Sequence, residues 1–347
     1  MIKVLVVDDS ALIRSLLSEI IRQESEFMLV GAASDAYAAR DLVNQYRPDV
    51  ITLDVEMPKV DGLTFLEKLM KARPTPVVMI SSLTEQGAEV TLRALELGAV
   101  DYLAKPKIDI ARGIEEYRHE IVAKIRAAAQ AKIQRSEPTA AKKVAPLRFK
   151  TTEKVIAIGA STGGTEAIKA VLTEMPVDSP GIVITQHMPP GFTSSFAKRL
   201  NGLCRINVTE AQGGERIVPG HAYIAPGDKH LTVVRSGADY RIELNDGPRV
   251  SGHKPSVDVM FQSVAESVAS NALAVILTGM GKDGAFGIRC IAEHSGYTMA
   301  QDEASSLIFG MPQEAIKTGC VKQIVGLHEV SAKLIEVLNL MGKDYRI

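Results

Sequence analysis

Three side chains in the second half of the chain could together carry out acyl transfer: Ser161, His187 and Asp283. Each follows a short apolar run. Ser161 lies in Gly159-Ala-Ser161-Thr162-Gly163-Gly164, after Val155-Ile-Ala-Ile. His187 lies in Gln186-His187-Met188-Pro189, after Gly181-Ile-Val-Ile-Thr. Asp283 lies in Gly279-Met280-Gly281-Lys282-Asp283-Gly284, after Ala272-Leu-Ala-Val-Ile-Leu-Thr. A hydroxyl at a strand-to-helix turn sits beside the unpaired N–H groups of the helix start, where an oxyanion can be held. Gly159-x-Ser161-x-Gly163 also fits the nucleophile-elbow pattern. Imidazole and carboxylate are the base and orienting partner that such a serine needs. A blander reading stands beside each. Small residues after a strand also serve close helix packing or phosphate binding, and Asp283 could cap the helix opening at Gly284.

His187 is preferred as the base over His294, late in a helix, and over His328, since neither follows a strand. His221, His230 and His253 read as loop or core histidines, with His253, ahead of Pro255-Ser-Val-Asp258, also able to line the cleft. The order Ser, His, Asp matches neither the α/β-hydrolases nor chymotrypsin nor subtilisin, so it would be a separate solution to the same geometry.

The first half carries a second constellation: Asp8, Asp9, Asp54, Ser81 and Lys105. Three carboxylates brought close could not all stay ionised without a cation, which implies Mg²⁺. Magnesium takes one or two carboxylates, leaving the one at the end of the central strand as a nucleophile toward phosphorus. Lys105 would neutralise the phosphoryl group as a point charge and Ser81 would donate to it. Any one of these acids alone would read as a solvated loop residue or a cap.

The elements that must position these groups are legible as alternating periods. Strands at 3–7, 27–33, 48–54, 76–82 and 100–104 alternate with helices near 12–21, 36–46, 63–70, 86–97 and from about 112. This βα repetition predicts an α/β, doubly wound, mainly parallel sheet with its site outside the carboxyl ends of the strands. From 123 to 152 the chain is rich in Ala, Lys and Arg with Pro138 and Pro146, and reads as a flexible linker into which the preceding helix frays. The second α/β region has strands at 154–158, 181–185, 272–278 and 297–301 and helices at 193–201, 257–270, 284–294 and 329–341. A β-rich stretch between about 206 and 245 is punctuated by Gly213-Gly214, Pro219-Gly220, Pro226-Gly227 and Asp246-Gly247.

Bulk properties narrow the function classes. With 347 residues, two domains are expected, and 46% hydrophobic content is enough to build their cores. A net charge of −1 gives no global attraction for nucleic acid or membranes, and no apolar run approaches the ~18 residues needed to span a bilayer. Cys204, Cys290 and Cys320 lie far apart without CxxC spacing, which suits a reducing cytosol. Trp is absent and aromatics make up 5%, so a base-stacking platform is not expected.

Residues 1–122, with Val7-Asp8-Asp9-Ser10, Leu53-Asp54-Val55-Glu56-Met57-Pro58 and Lys105-Pro106, resemble a two-component receiver domain. The resemblance implies a flavodoxin-like fold and an Asp54 that accepts phosphate from a histidine kinase. It implies a Mg²⁺ served by Asp8, Asp9, Asp54 and the carbonyl of Glu56, and a Tyr102 that changes rotamer with Ser81. Residues 153–347 resemble the chemotaxis protein-glutamate methylesterase domain through the three glycine-rich or proline-rich strand ends, Pro255-Ser-Val-Asp258 and Phe309-Gly310-Met311-Pro312. This implies a Rossmann-like fold, a triad of Ser161, His187 and Asp283, and an oxyanion hole from backbone N–H groups around Thr162 and Met280, with no cofactor in this domain. Gly252 departs from a pattern in which a basic residue often precedes His253.

The combined resemblance implies a cytoplasmic, monomeric enzyme activated by phosphorylation. It would demethylate and deamidate methyl-accepting chemotaxis receptors, take phosphate from the chemotaxis histidine kinase, and meet membranes only through those receptors. The competing class is a response regulator with a protein-binding output and a non-catalytic triad. A DNA-binding output is disfavoured because residues 153–347 show neither a helix-turn-helix signature nor a basic recognition helix.

Overall fold

A computed structural model of the chain describes residues 1–82, 84–105, 113–132 and 153–341. It divides into two compact units, Met1–Arg135 and Ser136–Ile347. Pro106 and most of the linker expected over 123–152 lie outside the described residues, although residues 123–130 continue a helix.

In the first unit, β1 (Ile2–Val7), β2 (Phe27–Ala33), β3 (Val50–Asp54), β4 (Val77–Ser81) and β5 (Asp101–Ala104) form a parallel sheet in the order β2-β1-β3-β4-β5. The connecting helices are α1 (Ala11–Gln23), α2 (Ala36–Tyr46), α3 (Gly62–Ala72), α4 (Glu85–Glu96) and α5 (Gly113–Gln130). β3 and β4 are buried at every position, which is why they read as continuous apolar runs rather than alternating ones. Asp8, Ser10 and Asp54 all fall at the carboxyl edge of this sheet, with Ser10 capping α1 through Ile13 N–H.

The second unit is built on β6 (Val155–Ala160), β7 (Gly181–Gln186), β8 (Asn207–Glu210), β9 (His221–Ile224), β12 (Ala272–Ile276), β13 (Tyr297–Gln301) and β14 (Gln323–Val325). Their order is β14-β13-β12-β6-β7-β9-β8, and all pairs are parallel. β10 (His230–Ser236) and β11 (Asp239–Asn245) form a separate antiparallel hairpin, so the β-rich stretch splits between two sheets. The helices are α6 (Gly164–Glu174), α7 (Phe192–Leu203), α8 (Val257–Val268), α9 (Ala285–Glu293), α10 (Met311–Lys317) and α11 (Val330–Met341). The short α10 and β14 were not foreseen. The chain leaves β6 in one direction to reach β7 and returns on the other side as β12, so the strand order reverses beside β6. In such sheets the crevice opens at that reversal.

α8 is the helix on which the site depends. Val257, Met260, Phe261, Val264 and Ala265 are fully buried along one face. α9 packs against it closely because Gly287 has no side chain: a Cβ there would stand 2.4 Å from Phe261 Cβ. Phe261→Ala is expected to destabilise this unit by about 3–5 kcal/mol, the range for deleting a buried phenyl ring. Urea denaturation of the full chain checks it, and an unmoved midpoint for the second unit would contradict this packing role.

Candidate active site

β6 and β7 pair in parallel up to Ala160 and Gln186, so Ser161 and His187 are the next residues beyond paired ends. His187 N–H donates to Ala160 O at 3.2 Å, and Gln186 Nε2 donates to Ser161 O at 2.9 Å, tying the two turns together. From the other side, Ser161 N–H donates to Thr278 O at 3.0 Å, so the turn after β12 joins them. Two glycines make this approach possible. Gly163 has φ +77°, a left-handed conformation at the start of α6 that a side chain would strain. A Cβ on Gly279 would lie 2.8 Å from Ser161 Cβ and 2.4 Å from Met311 Sδ.

Asp283, 1% exposed, meets His187 at this edge: His187 Nε2 lies 2.8 Å from Asp283 Oδ2. Three further groups, all from the start of α8, saturate the carboxylate. Ser256 Oγ donates to Oδ1 at 2.8 Å, Asp258 N–H to Oδ1 at 3.0 Å and Val257 N–H to Oδ2 at 2.7 Å. Burial opposes ionisation of Asp283, but the bond and charge of His187 and the N–H groups of Asp258 and Val257 outweigh it and lower its pKa to about 2. The carboxylate is therefore charged, and Nε2 carries the proton between them. His187 Nδ1 is buried and has no hydrogen-bond partner, so it does not bond the Ser161 hydroxyl in this structure.

The expected alternative for Asp283, capping of α9, is corrected by this geometry. Gly284 is the N-cap of α9 and supplies no side chain; Asp258 Oδ1 takes the N–H groups of Gly284 and Gly287, both at 2.8 Å. Each carboxylate thus caps the helix that follows or contains the other. The pair cannot hold two charges comfortably: burial, with the Asp283 charge added, pushes Asp258 up to about 6 against its two N–H bonds.

Among the other histidines, His230 is a core residue as expected, with Nδ1 accepting from Ser256 N–H at 3.1 Å and Nε2 donating to Pro248 O at 2.9 Å. His221 pairs with Thr209 Oγ1, and His294 Nδ1 bonds Cys290 O at the end of α9. The ring of His253 stacks on that of His187, with centroids 3.7 Å apart and planes within 8°. Thr162 is buried, its carbonyl accepting from Thr278 Oγ1 at 3.0 Å, and Met280 lies in the turn beside Gly279. Gln186, Ser256 and Asp258 fall within the quoted stretches, but the sequence does not show which groups they bond, because their partners lie on distant segments.

In the first unit, carboxylate oxygens of Asp8, Asp9 and Asp54 all lie within 4.8 Å of one another. That is little more than the ~4.2 Å diagonal of an octahedral Mg²⁺ shell. Asp8 Oδ2 is buried without a hydrogen-bond partner, although Lys105 Nζ stands 3.9 Å away. An all-oxygen set with one such orphaned acceptor fits Mg²⁺. Lys105 Nζ bonds Asp54 Oδ2 at 2.8 Å, and Glu56 N–H donates to Asp54 Oδ1 at 3.2 Å. Burial, reinforced by Asp8, still raises Asp54 to about 6. Burial also works against the charge on Lys105, but Asp54, Asp8 and Asp9 hold its pKa above the ordinary lysine value. Ser81 Oγ donates to Gly87 O at 3.2 Å, and Tyr102 is buried with Lys124 Nζ 5.1 Å from its ring centre.

Fold and site define a two-unit α/β protein in which an acidic, receiver-type pocket accompanies a Ser/His/Asp constellation of the serine-hydrolase kind. Residues 156–334 match the CheB methylesterase family model and residues 4–116 the response regulator receiver domain model. A Pseudomonas aeruginosa protein-glutamate methylesterase/protein-glutamine glutaminase 2 is 57% identical over 100% of this chain and 99% of its own. The Salmonella typhimurium protein-glutamate methylesterase/protein-glutamine glutaminase is 56% identical over the same shares. The crystal structure of the Thermotoga maritima CheB methylesterase catalytic domain superposes with a TM-score of 0.52 at 38% identity, over 53% of this chain and 98% of that one. The chain belongs to the CheB methylesterase family.

The Asp258–Asp283 pair has a pH signature. Asp258 has a folded-state pKa above the ~3.9 of an unfolded aspartate, so its contribution to stability is intact below pH ~4 and is lost as pH rises through about 6. Asp283 has the opposite sign, losing its contribution as pH falls from ~4 toward about 2. Asp258→Asn keeps the acceptor for α9 and removes the second charge. It is expected to raise the melting temperature at pH 8 by a few degrees and to change it little at pH 4, near which the folded and unfolded states bind almost the same number of protons. Thermal melts at both pH values check this; an equal shift at both would show that Asp258 carries no such strain.

Proposed function

We propose that the chain is a phosphorylation-activated protein-glutamate methylesterase and protein-glutamine glutaminase of chemotaxis receptors, with Ser161 as nucleophile. The observation that carries this is the bond between His187 Nε2 and an ionised Asp283, on a turn tied to that of Ser161 by the Gln186 Nε2–Ser161 O bond, with the buried His187 Nδ1 left unbonded. His187 Nδ1 takes the Ser161 hydroxyl proton as Oγ attacks the γ-carbonyl carbon of a glutamate methyl ester. N–H groups of Thr162 and Met280 hold the oxyanion. The C–OCH₃ bond breaks, the proton on Nδ1 passes to the leaving oxygen, and methanol departs. Water, deprotonated by the same nitrogen, then splits the acyl-serine to leave glutamate. With glutamine as substrate the leaving group is ammonia, and the same proton delivery applies. Asp283 stays ionised and steadies the imidazolium.

Residues 1–122 act as the receiver, 123–152 as a linker and 153–347 as the catalytic domain. Asp54 is the phosphoacceptor, with the chemotaxis histidine kinase as donor. Asp8, Asp9, Asp54 and the Glu56 carbonyl would hold Mg²⁺, which supplies positive charge against the acids and the phosphoryl oxygens. Lys105 neutralises the phosphoryl group. Ser81, released from Gly87 O, turns to it as Tyr102 adjusts, and this two-state change relieves a block that the receiver places on catalysis. The protein works as a cytoplasmic monomer.

The test is methanol release from methylated receptor membranes, with and without acetyl phosphate and Mg²⁺. Wild-type release should rise with the donor. Ser161→Ala should abolish it, by a factor of about 10³ or more, and Asp54→Ala should leave a low rate that no longer responds. A phosphorylated wild type that releases no methanol would favour the protein-binding output instead.

A further inference from the structure

We infer that His253 is a positioning residue for His187, holding the plane of the imidazole through ring stacking while taking no part in proton transfer. This rests on the reading of His187 as the base. His187 has one in-plane anchor, the bond from Nε2 to Asp283, about which the ring can still rock. A second flat ring at 3.7 Å, tilted by only 8°, removes that freedom. Face-to-face stacking also places the nitrogens of the two rings in parallel planes, where no N–H···N bond can form between them. A proton therefore cannot pass directly from one ring to the other.

The backbone shows why His253 can be held so firmly. Val250 N–H donates to His253 O at 3.0 Å and His253 N–H to Val250 O at 2.9 Å, closing a two-residue hairpin turn. Its central residues, Ser251 at φ +53° and Gly252 at φ +84°, both have positive φ, the requirement of a type I′ turn. Gly252 is thus accounted for by turn geometry. Immediately after His253, Lys254 Nζ bonds Asp246 Oδ1 at 2.5 Å, and Ser256, Val257 and Asp258 hold the Asp283 carboxylate. One continuous segment, residues 253–258, therefore grips both His187, by its face, and Asp283, by its oxygens.

The experiment compares wild type, His253→Ala and His253→Phe in the full chain, by methanol release and by long-range ¹H–¹⁵N correlation of the His187 ring. His253→Ala should lower kcat about ten- to a hundredfold, the scale of a misplaced catalytic group, with KM within about twofold. His253→Phe, which keeps a flat ring and no titratable nitrogen, should recover most of that loss. In the spectra, wild type and His253→Phe should show a protonated Nε2 and a bare Nδ1, with these signals broadened or averaged in His253→Ala. A raised KM at unchanged kcat would make His253 a substrate contact and overturn the inference. So would a His253→Phe as impaired as His253→Ala, or unaltered His187 signals in His253→Ala. If the wild type releases no methanol, the esterase reading fails, and the His187 spectra still decide whether the stack positions the ring.

Discussion

The second unit turns on a single buried charge, the Asp283 carboxylate, and on the four hydrogen bonds that saturate it. A carboxylate out of water is tolerated only when its oxygens are matched by donors, and here three come from the first residues of one helix. Because the carboxylate is held by α8, the His187 ring is anchored through Nε2, and Nδ1 on the other side of the ring is left unbonded. The chemistry of the site follows from helix α8 being where it is, and α8 is there because Phe261 and its neighbours are buried and Gly287 lets α9 approach.

The two units pose the same electrostatic problem and reach opposite answers. Asp54 and Asp283 are both buried carboxylates at the carboxyl edge of a parallel sheet. Asp54 faces Asp8 as well as Lys105, and is raised to about 6; Asp283 faces an imidazole and a helix start, and is lowered to about 2. An acceptor for a phosphoryl group benefits from an unsettled acidic cluster that a cation can complete. A carboxylate whose role is to orient a base benefits from being finished, with every oxygen bonded before substrate arrives.

Strand ends were legible in the sequence, and for a physical reason. A parallel strand buried on both faces reads as an uninterrupted apolar run, and the glycines or prolines that stop it mark the sheet edge. Ser161, His187 and Asp283 each lie just beyond such an end. Helix boundaries also fell within a few residues of expectation, as for α8, expected over 257–270 and observed over Val257–Val268. What was not legible was contact between segments. Asp283 lies one residue before Gly284, so local pattern suggested a cap for α9, yet that cap comes from Asp258, 26 residues away in sequence. His253 offered only its type, while its stacking partner lies on β7's turn. α10 and β14 were too short for either period to register.

The order Ser, His, Asp along the chain loses its oddness once the sheet is drawn. β6 is central, β7 lies on one side of it and β12 on the other, so residues following these strands meet at one edge whatever their order in sequence. The meeting of the Ser161, His187 and Asp283 segments is a property of adjacent strand ends at the reversal of the sheet. It also explains why the supporting residues cluster in 253–258. The segment that enters α8 lies at the carboxyl edge of the sheet, and there it reaches both His187 and Asp283. The orientation of His187 and Asp283 is thereby held by contacts from one loop and one helix start.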